Sequence, residues 1–334
     1  MRAPALVVVA LSLAALVGTA SAGRVGNDRS LAVGESIGSI SASGGRVAIQ
    51  ADDPNGGCGR GLVWTPSSGA VTELKDPCSA DRSFVDLTLA GDTAIWWDYD
   101  SGNHVYCDDV YTASVASPKA HGLGICDGTM GDTYFELAGD RTIVTVSDYT
   151  VCEADCVGDN GGLLPDGDYG VEVRRLHGGK LATLLGPVDF RNVLDARNWH
   201  VAVIEPKGRL SVYDSAGKLL WQRAGVRSVL RGRLAGSSVV VQQPGAVQVY
   251  APGGAALRTW SLPRGAYLED AAGGLAVYTA GSTVHLLRLA DGRDRKLVTA
   301  KGLVQAQITP AGVFYAAGSS VTFVPIRTAL LQLG

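Results

Sequence analysis

The chain is poor in methionine, phenylalanine, histidine and charge. Its 334 residues include 2 Met, 5 Phe and 5 His, and charged residues make up 18%. The histidines are scattered, with no His-x-His or H-E-x-x-H spacing, and no G-x-S-x-G, P-loop or dinucleotide motif is present. The sequence therefore shows no recognisable catalytic motif, and a formal net charge of −3 argues against a nucleic acid as the partner.

Long apolar runs are lacking after the N-terminus. Residues 1–22 combine Arg2, an apolar run from Ala5 to Val17 and an A-x-A-like end at Ala22, as secretory signal peptides do. The apolar run is shorter than the roughly 20 residues that a membrane anchor needs. We therefore expect cleavage near Ala22 and a secreted, extracytoplasmic protein without a membrane span.

Glycine, in contrast, is abundant, with 44 residues that separate short β-rich runs. The stretch from Asn198 to Trp221 shows the unit, in which three such runs are joined by turns at Pro206–Gly208 and Ser215–Gly217. The unit recurs seven times at intervals of 37 to 58 residues. The first turns of the seven units are expected at Gly44–Gly45, Gly91–Asp92, Gly139–Asp140, Arg197–Asn198, Gly236–Ser237, Gly273–Gly274 and Ala311–Gly312.

Seven units of four strands predict an all-β fold, a seven-bladed β-propeller of four-stranded antiparallel blades in a single domain, 23–334. A β-solenoid is the alternative. Residues 29–33 are expected to complete the last blade, with Ala329–Leu333 as the other candidate. The expected blades are 34–78, 79–126, 127–186, 187–224, 225–263, 264–300 and 301–334.

One of the seven repeats resembles a repeat that is known from other propellers. Val212–Trp221, VYDSAGKLLW, resembles the repeat of quinoprotein-like and WD40-like propellers, with an Asp before a glycine turn and a Trp on the next strand. The other units lack this Trp. The resemblance therefore implies the propeller fold, as in secreted bacterial members, but does not imply a quinone cofactor.

All six cysteines lie in the first three units. Cys58 and Cys107 occupy equivalent places between two strands, and Cys78 and Cys126 occupy equivalent places before the next unit. Repeat symmetry and export to an oxidising compartment predict three disulfides, Cys58–Cys78, Cys107–Cys126 and Cys152–Cys156. Zinc is the alternative for the C-x3-C pair, but no second pair of ligands lies nearby, so we expect no metal there.

Charge divides the chain. Residues 23–190 carry a net charge of −14 and residues 191–334 a net charge of +10. Acidic and aromatic residues in units two and three suit sugar rings, cationic groups or calcium. The alternative is that Trp97 packs between blades and the acids form a solvated rim. The candidate ligand-binding residues are Trp97, Asp98, Tyr99, Asp100, His104, Asp108, Asp109, Asp155, Asp159, Asp166 and Asp168.

A second candidate site lies on the innermost strands, three residues before each first turn. One polar residue per unit recurs there, which predicts a ring around the channel: Ser41, Thr88, Glu136, Asp195, Arg233, Asp270 and Thr309. Glu136, Asp195 and Asp270, with Arg233, could bind a ligand or act as acid and base. The alternative is a structural network of ion pairs.

These features favour a non-enzymatic binding or scaffolding module, a monomer that recognises an extracellular or envelope protein or glycan through the disulfide-pinned loops of blades 1–3. We expect no cofactor, with calcium as the one exception to test. The alternative function is an extracytoplasmic hydrolase or lyase that acts on a glycan or lactone through the channel carboxylates.

Overall fold

The chain forms seven antiparallel sheets of four strands, arranged as the blades of a β-propeller. The first strands of successive blades contact one another around the ring, so they surround a central channel. Within each blade we name the strands A to D from the channel outward. The computed structural model describes residues 28–53, 59–74, 82–100, 109–123, 132–152, 167–188 and 191–333.

The first three blades follow a short N-terminal strand. That strand is β1 (Arg29–Ala32). Blade 1 comprises β2 (Ile37–Ser43), β3 (Arg46–Ala51), β4 (Arg60–Thr65) and β5 (Ala70–Glu73). Blade 2 comprises β6 (Arg82–Ala90), β7 (Thr93–Asp100), β8 (Asp109–Ser114) and β9 (Ser117–Gly122). Blade 3 comprises β10 (Asp132–Asp140), β11 (Ile143–Cys152), β12 (Gly167–His177) and β13 (Lys180–Val188).

The last four blades are more compact. Blade 4 comprises β14 (Asn192–Arg197), β15 (His200–Glu205), β16 (Arg209–Asp214) and β17 (Leu219–Arg223). Blade 5 comprises β18 (Arg231–Ala235), β19 (Ser238–Gln243), β20 (Ala246–Tyr250) and β21 (Ala256–Ser261). Blade 6 comprises β22 (Ala266–Ala272), β23 (Leu275–Ala280), β24 (Thr283–Arg288) and β25 (Asp294–Thr299). Blade 7 contains β26 (Leu303–Thr309), β27 (Gly312–Ala317) and β28 (Ser320–Pro325).

The fourth strand of blade 7 comes from the N-terminal end of the chain. β1 pairs antiparallel with β28, with Arg29 opposite Phe323. Residues 329–333, the other candidate for this place, lie in the helix α1 (Ile326–Leu333), whose Ala329 and Leu333 join the apolar cluster of blades 6 and 7. Among the described residues, no helix has both the length and the apolar character needed to cross a bilayer.

Apolar side chains fill the spaces between neighbouring blades. In the described part of the chain, each of the seven interfaces holds one buried cluster. Between blades 1 and 2, for example, Ala48 and Val63 pack with Leu89 and Trp96. Both faces of a blade are buried, which explains why strands such as β19 are nearly continuous apolar runs.

The two faces of the ring carry different connections. Because successive strands are antiparallel, the A–B and C–D turns lie on one face and the B–C and D–A connections lie on the other. We call the second face the loop face. In blades 1–3 the strand ends that flank the long connections lie on the loop face, whereas the corresponding B–C connection of blade 5 is only Pro244–Gly245.

The A–B turns of blades 3 and 7 differ from the sequence-based expectation. They are Arg141–Thr142 and Pro310–Ala311, and not Gly139–Asp140 and Ala311–Gly312. Gly139 and Gly312 lie in strands, where a Cβ would come within 2.8 Å of one backbone oxygen and 2.2 Å of another, respectively. These glycines therefore allow close approach of backbones and do not mark turns.

This difference corrects the expected ring of polar residues. Counted from the observed turns, Ala138 and Gln307 lie at the depth of Ser41. Glu136 lies two residues nearer the loop face, and Thr309 lies two residues nearer the turn. The turn of blade 4 is also shifted by one residue, to Asn198–Trp199, which leaves Asp195 at the expected depth.

Candidate functional site

The inner strands present backbone N–H groups to the channel. In an antiparallel pair alternate residues direct their N–H groups away from the partner strand, and no further strand lies inside strand A. At four interfaces a polar side chain of the preceding blade accepts this hydrogen. The pairs are Ser41 Oγ with Leu89 N at 2.9 Å, Asp195 Oδ2 with Leu234 N at 2.8 Å, Asp270 Oδ2 with Ile308 N at 3.0 Å, and Gln307 Oε1 with Ala42 N at 2.5 Å.

Two blades have a side chain at this depth that cannot accept a hydrogen bond, Ala138 in blade 3 and Arg233 in blade 5. In blades 4 and 6, which follow these two, the aspartate itself accepts the backbone hydrogen of its own inner strand. Asp195 Oδ1 accepts from Ala196 N at 2.9 Å, and Asp270 Oδ1 accepts from Ala271 N at 2.8 Å. Each carboxylate therefore accepts backbone hydrogens from the inner strands of two blades, one on each oxygen. A serine in its place has only one side-chain oxygen.

Arg197 crosses the channel from blade 4 to blade 6. Its Nε lies 2.6 Å from Asp195 Oδ2, and its Nη1 lies 2.9 Å from Asp270 Oδ1. Nη1 also donates to the carbonyl oxygen of Ala271 at 3.1 Å. Burial alone would lower the pKa of Arg197, but the charges of the two aspartates and their hydrogen bonds raise it above its usual value. The guanidinium therefore stays charged between the two carboxylates.

Arg233 of blade 5 completes this level of the channel. Its Nε donates to the carbonyl oxygen of Glu269 at 2.9 Å, and its Nη1 donates to that of Leu194 at 3.1 Å. Arg233 therefore donates hydrogen bonds to backbone carbonyl oxygens on the innermost strands of both blade 6 and blade 4. We call Asp195, Arg197, Arg233 and Asp270 the channel floor.

A cavity of about 340 Å³ lies in the channel between this floor and the loop face. Its described lining reaches as deep as Ser41, Thr88, Arg233 and Gln307 and contains no residue nearer the A–B turns. Asp195 and Asp270 do not line it, and they are 5% and 4% exposed. The volume falls in the range of roughly 300–1,000 Å³ that small-ligand sites occupy. We call it the channel cavity.

Asp86 of blade 2 faces this cavity. It lies at a register shift of β6 and has a left-handed φ of 48°, which Asp tolerates better than most residues. Its side chain is exposed to the cavity but surrounded by protein elsewhere, so burial raises its pKa, and an interaction with the Trp97 side chain offsets part of the rise. Sequence reasoning missed Asp86, although a charged residue inside the apolar run of Val85 to Leu89 was the available signal.

Trp97, a candidate ligand-binding residue, is placed between blades. It is 7% exposed and meets Phe135 edge to face, with ring centroids 6.0 Å apart. Its ring packs in the apolar cluster of blades 2 and 3. In this position the Trp97 side chain interacts with Asp86. Its ring does not present a stacking surface at the loop face.

Glu136 of blade 3 and two arginines of blade 5 also line the channel cavity. Arg231 and Arg233 alternate with Gly232, where a Cβ would lie 2.5 Å from Leu194 Cδ1, so the glycine lets blade 5 approach blade 4. The Arg231 guanidinium lies 3.9 Å from the centre of the Tyr267 ring. Burial, and after it the charge of Arg233, lowers the pKa of Arg231. The cavity thus has acidic groups from blades 2 and 3 and basic groups from blade 5.

The loop-face ends of blades 2 and 3 extend beyond those of blade 4. β10, β11 and β12 have 9, 10 and 11 residues, whereas β14, β15 and β16 have 6 each. At about 3.3 Å per residue, the extra length raises the strands of blade 3 by about 10 Å or more. In blade 2, β6 with 9 residues and β7 with 8 are also longer than β14 and β15. Blade 3 and the two inner strands of blade 2 therefore form a raised rim beside the channel cavity.

Several predicted ligand-binding residues lie on this rim, and the structure describes their backbone. Asp98, Tyr99 and Asp100 end β7, and Asp109 begins β8 in register with Asp98. Asp168 lies at the loop-face end of β12. His104, Asp108, Asp155, Asp159 and Asp166 fall outside the described residues.

The three predicted disulfides cannot be assigned from the described residues either. Cys152 ends β11, whereas the other five cysteines lie outside the described ranges. The pairings therefore stay predictions. Within the described part of the chain, no three side chains of His, Cys, Asp or Glu meet as a metal site would require.

Comparison with known proteins agrees with this architecture. No protein-family model matches the sequence, and no curated protein sequence matches it. Among solved structures, the acylaminoacyl peptidase of Pyrococcus horikoshii aligns over 84% of this chain and 48% of its own, with a TM-score of 0.56 and 9% identity. Hsv2 of Kluyvelomyces marxianus aligns over 85% of this chain and 89% of its own, with a TM-score of 0.53 and 10% identity. The chain is a seven-bladed β-propeller.

The propeller domain of the Trilobed protease from Pyrococcus furiosus is similar to the same extent. It aligns over 79% of this chain and 84% of its own, with a TM-score of 0.52 and 12% identity. This propeller spans about half the length of the P. horikoshii peptidase, and also half that of a matched prolyl endopeptidase. At these identities the likeness establishes the fold, and function has to be argued from the site.

Proposed function

We propose that this protein is an exported, non-catalytic binding propeller that recognises its ligand at the loop face. The observation that carries the proposal is the channel cavity, a polar pocket bounded below by the channel floor and flanked by the raised rim of blades 2 and 3. A concave site with a few convergent polar groups is the usual form of a small-ligand pocket. The long connections of blades 1–3 provide further contacts around it.

The contacts of the channel floor support a structural role for two of the four channel candidates, Asp195 and Asp270, as in the alternative of an ion-pair network. Both oxygens of Asp195 and both oxygens of Asp270 accept backbone hydrogens, and both carboxylates face Arg197. A general base must reach a proton of the substrate. Asp195 and Asp270 instead hold the blades together below the cavity.

Export is the second part of the proposal. The signal-peptide pattern of residues 1–22 and the six cysteines of blades 1–3 favour an oxidising compartment. Disulfides in the long connections would hold them in place and so lower the entropic cost of binding. The net charge of −14 over residues 23–190 favours partners with cationic groups, on an envelope protein or a glycan.

The proposal is tested on residues 23–334 with the cysteines oxidised. The protein is screened against glycan and peptide arrays, and the best ligand is mapped by amide hydrogen exchange. We expect slower exchange in β6, β7, β10 and β18 and no change in β17 and β21. As a control, residues 153–166 are replaced by a short Gly-Ser linker, which should weaken binding without changing the cooperativity of unfolding. Protection confined to the A–B turns, or no ligand on either array, would contradict the proposal.

A second candidate function, a hydrolase or lyase for a glycan or lactone, draws on Asp86 and Glu136. A carboxyl group with a raised pKa beside a second carboxyl group in one cavity is a known acid–base arrangement. Product formation from a glycan or lactone panel, lost in both Asp86→Asn and Glu136→Gln, would establish it. A rise of several degrees in Tm with calcium over chelator would add calcium to that site.

A further inference from the structure

We infer that the channel cavity binds a small zwitterion, an amino acid or a dipeptide that presents both a free ammonium group and a free carboxylate. The inference rests on the proposed function and names the ligand chemistry of that site. Three observations carry it: the acidic side of the cavity, its basic side and its volume.

The acidic side consists of Asp86 and Glu136, from adjacent blades. Asp86 lines the cavity, has a left-handed φ of 48° and interacts with the Trp97 side chain. An ammonium group has three donors and no acceptor, so it can bond to more than one carboxylate at the same time. This side of the cavity therefore suits a primary ammonium group.

The basic side consists of Arg231 and Arg233. The nearest carboxylate oxygen recorded for Arg231, Glu269 Oε2, is 3.9 Å away, and its side chain is 29% exposed. Stacking on Tyr267 orients the plane of the guanidinium. A planar guanidinium with fixed donors matches a carboxylate, to which it can donate two parallel hydrogen bonds.

The two sides face each other across the channel. Blade 5 is three blades from blade 2 in a ring of seven, which places Arg231 nearly opposite Asp86. A zwitterion places an opposite charge next to each side of the cavity, which a ligand with one charge cannot do. A cavity of about 340 Å³ has room for an amino acid or a dipeptide. Both the charges and the size therefore match a small zwitterion.

Calorimetric titration of residues 23–334 tests the inference with four probes: alanine, alanyl-alanine, its N-acetylated form and its C-terminal amide. We expect alanine or alanyl-alanine to bind, and each cap on the dipeptide to weaken binding by about tenfold or more, because each removes one charge. Asp86→Asn should reduce the difference between the free and the N-acetylated dipeptide, because only Glu136 then remains on the acidic side. Arg231→Gln should reduce the difference between the free dipeptide and the amide, because only Arg233 then remains on the basic side.

Matched controls lie in the same blades but away from the cavity. Asp92→Asn changes an exposed carboxylate in the A–B turn of blade 2, and Arg258→Gln changes an exposed guanidinium on β21. Both should bind all four probes as the unmodified protein does. If those controls alter discrimination as strongly as Asp86→Asn and Arg231→Gln do, the cavity is not the site and the inference fails.

Failure of this inference is distinguishable from failure of the proposed function. If neither alanine nor alanyl-alanine binds, or if both capped dipeptides bind as well as the free one, the zwitterion inference is wrong. An array ligand that still protects the loop face would then leave the proposed function standing. Conversely, alanyl-alanine binding that is unchanged by the Gly-Ser replacement of 153–166, with no array ligand, would limit recognition to the cavity and contradict the proposed function while supporting the zwitterion inference.

Discussion

The channel floor and the channel cavity are built from the same inner strands, yet their polar side chains have opposite surroundings. In the floor, carboxylates lie within ion-pair distance of Arg197, and backbone N–H groups have acceptors. In the cavity, Asp86 and Arg231 lie on opposite sides of an open space. Depth along one strand therefore separates the residues that the fold needs from those that a ligand can reach.

The largest effect is expected in the floor, from Arg197→Ala. Removing the guanidinium leaves Asp195 and Asp270 buried without their nearest counter-charge, which should lower the free energy of unfolding by about 3–5 kcal/mol. Urea denaturation measures this loss. Adding Asp195→Asn and Asp270→Asn should recover only part of it, because each amide keeps one acceptor oxygen but turns its NH2 group toward a backbone N–H that loses its acceptor. A loss below about 1 kcal/mol would show that the floor is not an ionic network.

The next effect concerns the closing interface between blades 7 and 1. Gln307 Oε1 accepts from Ala42 N at 2.5 Å, and its Nε2 donates to Ile40 O at 2.9 Å. Gln307→Leu leaves both backbone groups without this partner and should cost about 2–4 kcal/mol. Gln243→Leu, which removes one exposed hydrogen bond to Arg227 O, is the control and should cost less than about 0.5 kcal/mol. Equal losses for the two variants would contradict the role of Gln307.

Two serines on β2 compare the depth of the channel floor with the depth of the cavity. Ser41 lies at the level of Asp195 and Asp270, and Ser39 lies two residues nearer the loop face. Ser41 accepts the hydrogen of Leu89 N, whereas Ser39 donates to the side chain of Gln50 at 3.1 Å. Ser41→Ala should therefore lower the free energy of unfolding by about 1–2 kcal/mol, and Ser39→Ala by less than about 0.5 kcal/mol. Amide exchange at Leu89 should accelerate in Ser41→Ala alone. A larger loss of stability in Ser39→Ala than in Ser41→Ala would contradict the distinction between structural residues at the depth of the floor and ligand-accessible residues in the cavity.

The smallest effect on stability is expected at Asp86. Asn tolerates the left-handed backbone as Asp does and resembles the protonated carboxyl group, so Asp86→Asn should change the free energy of unfolding at pH 3 by less than about 0.5 kcal/mol. The pH dependence has a definite sign. Because burial raises the pKa of folded Asp86, its contribution to stability is complete below the unfolded value of about 3.9 and is lost as pH rises through the folded pKa.

Asp86→Asn should remove that decline, which urea denaturation between pH 3 and pH 7 measures. Asp92→Asn is the control, since Asp92 is exposed in a turn of the same blade. A steeper decline in Asp86→Asn than in the unmodified protein would mean that the carboxylate is stabilised by a counter-charge. That outcome would also weaken the case for an ammonium ligand.

The candidate site was only partly predictable. Glu136, Asp195, Arg233 and Asp270 were identified because one polar residue recurs on each inner strand. Their separation into floor and cavity could not be predicted, because it depends on whether a side chain contacts the backbone of a neighbouring blade or faces the cavity. Trp97 depended on the tertiary structure in the same way: it was a candidate for ligand binding, with packing between blades as the alternative, and its ring packs between blades 2 and 3.

By itself the sequence determined the number of blades, their antiparallel hairpins and the acidic and basic halves of the chain, because glycine turns, strand periodicity and charge are local properties. Only the tertiary structure decided the register of blades 3 and 7, where Gly139 and Gly312 serve close backbone contacts. It alone brought Arg197 of blade 4 to Asp270 of blade 6. Ring closure places residues that are far apart in the chain on one axis, and no local pattern records which of them meet there.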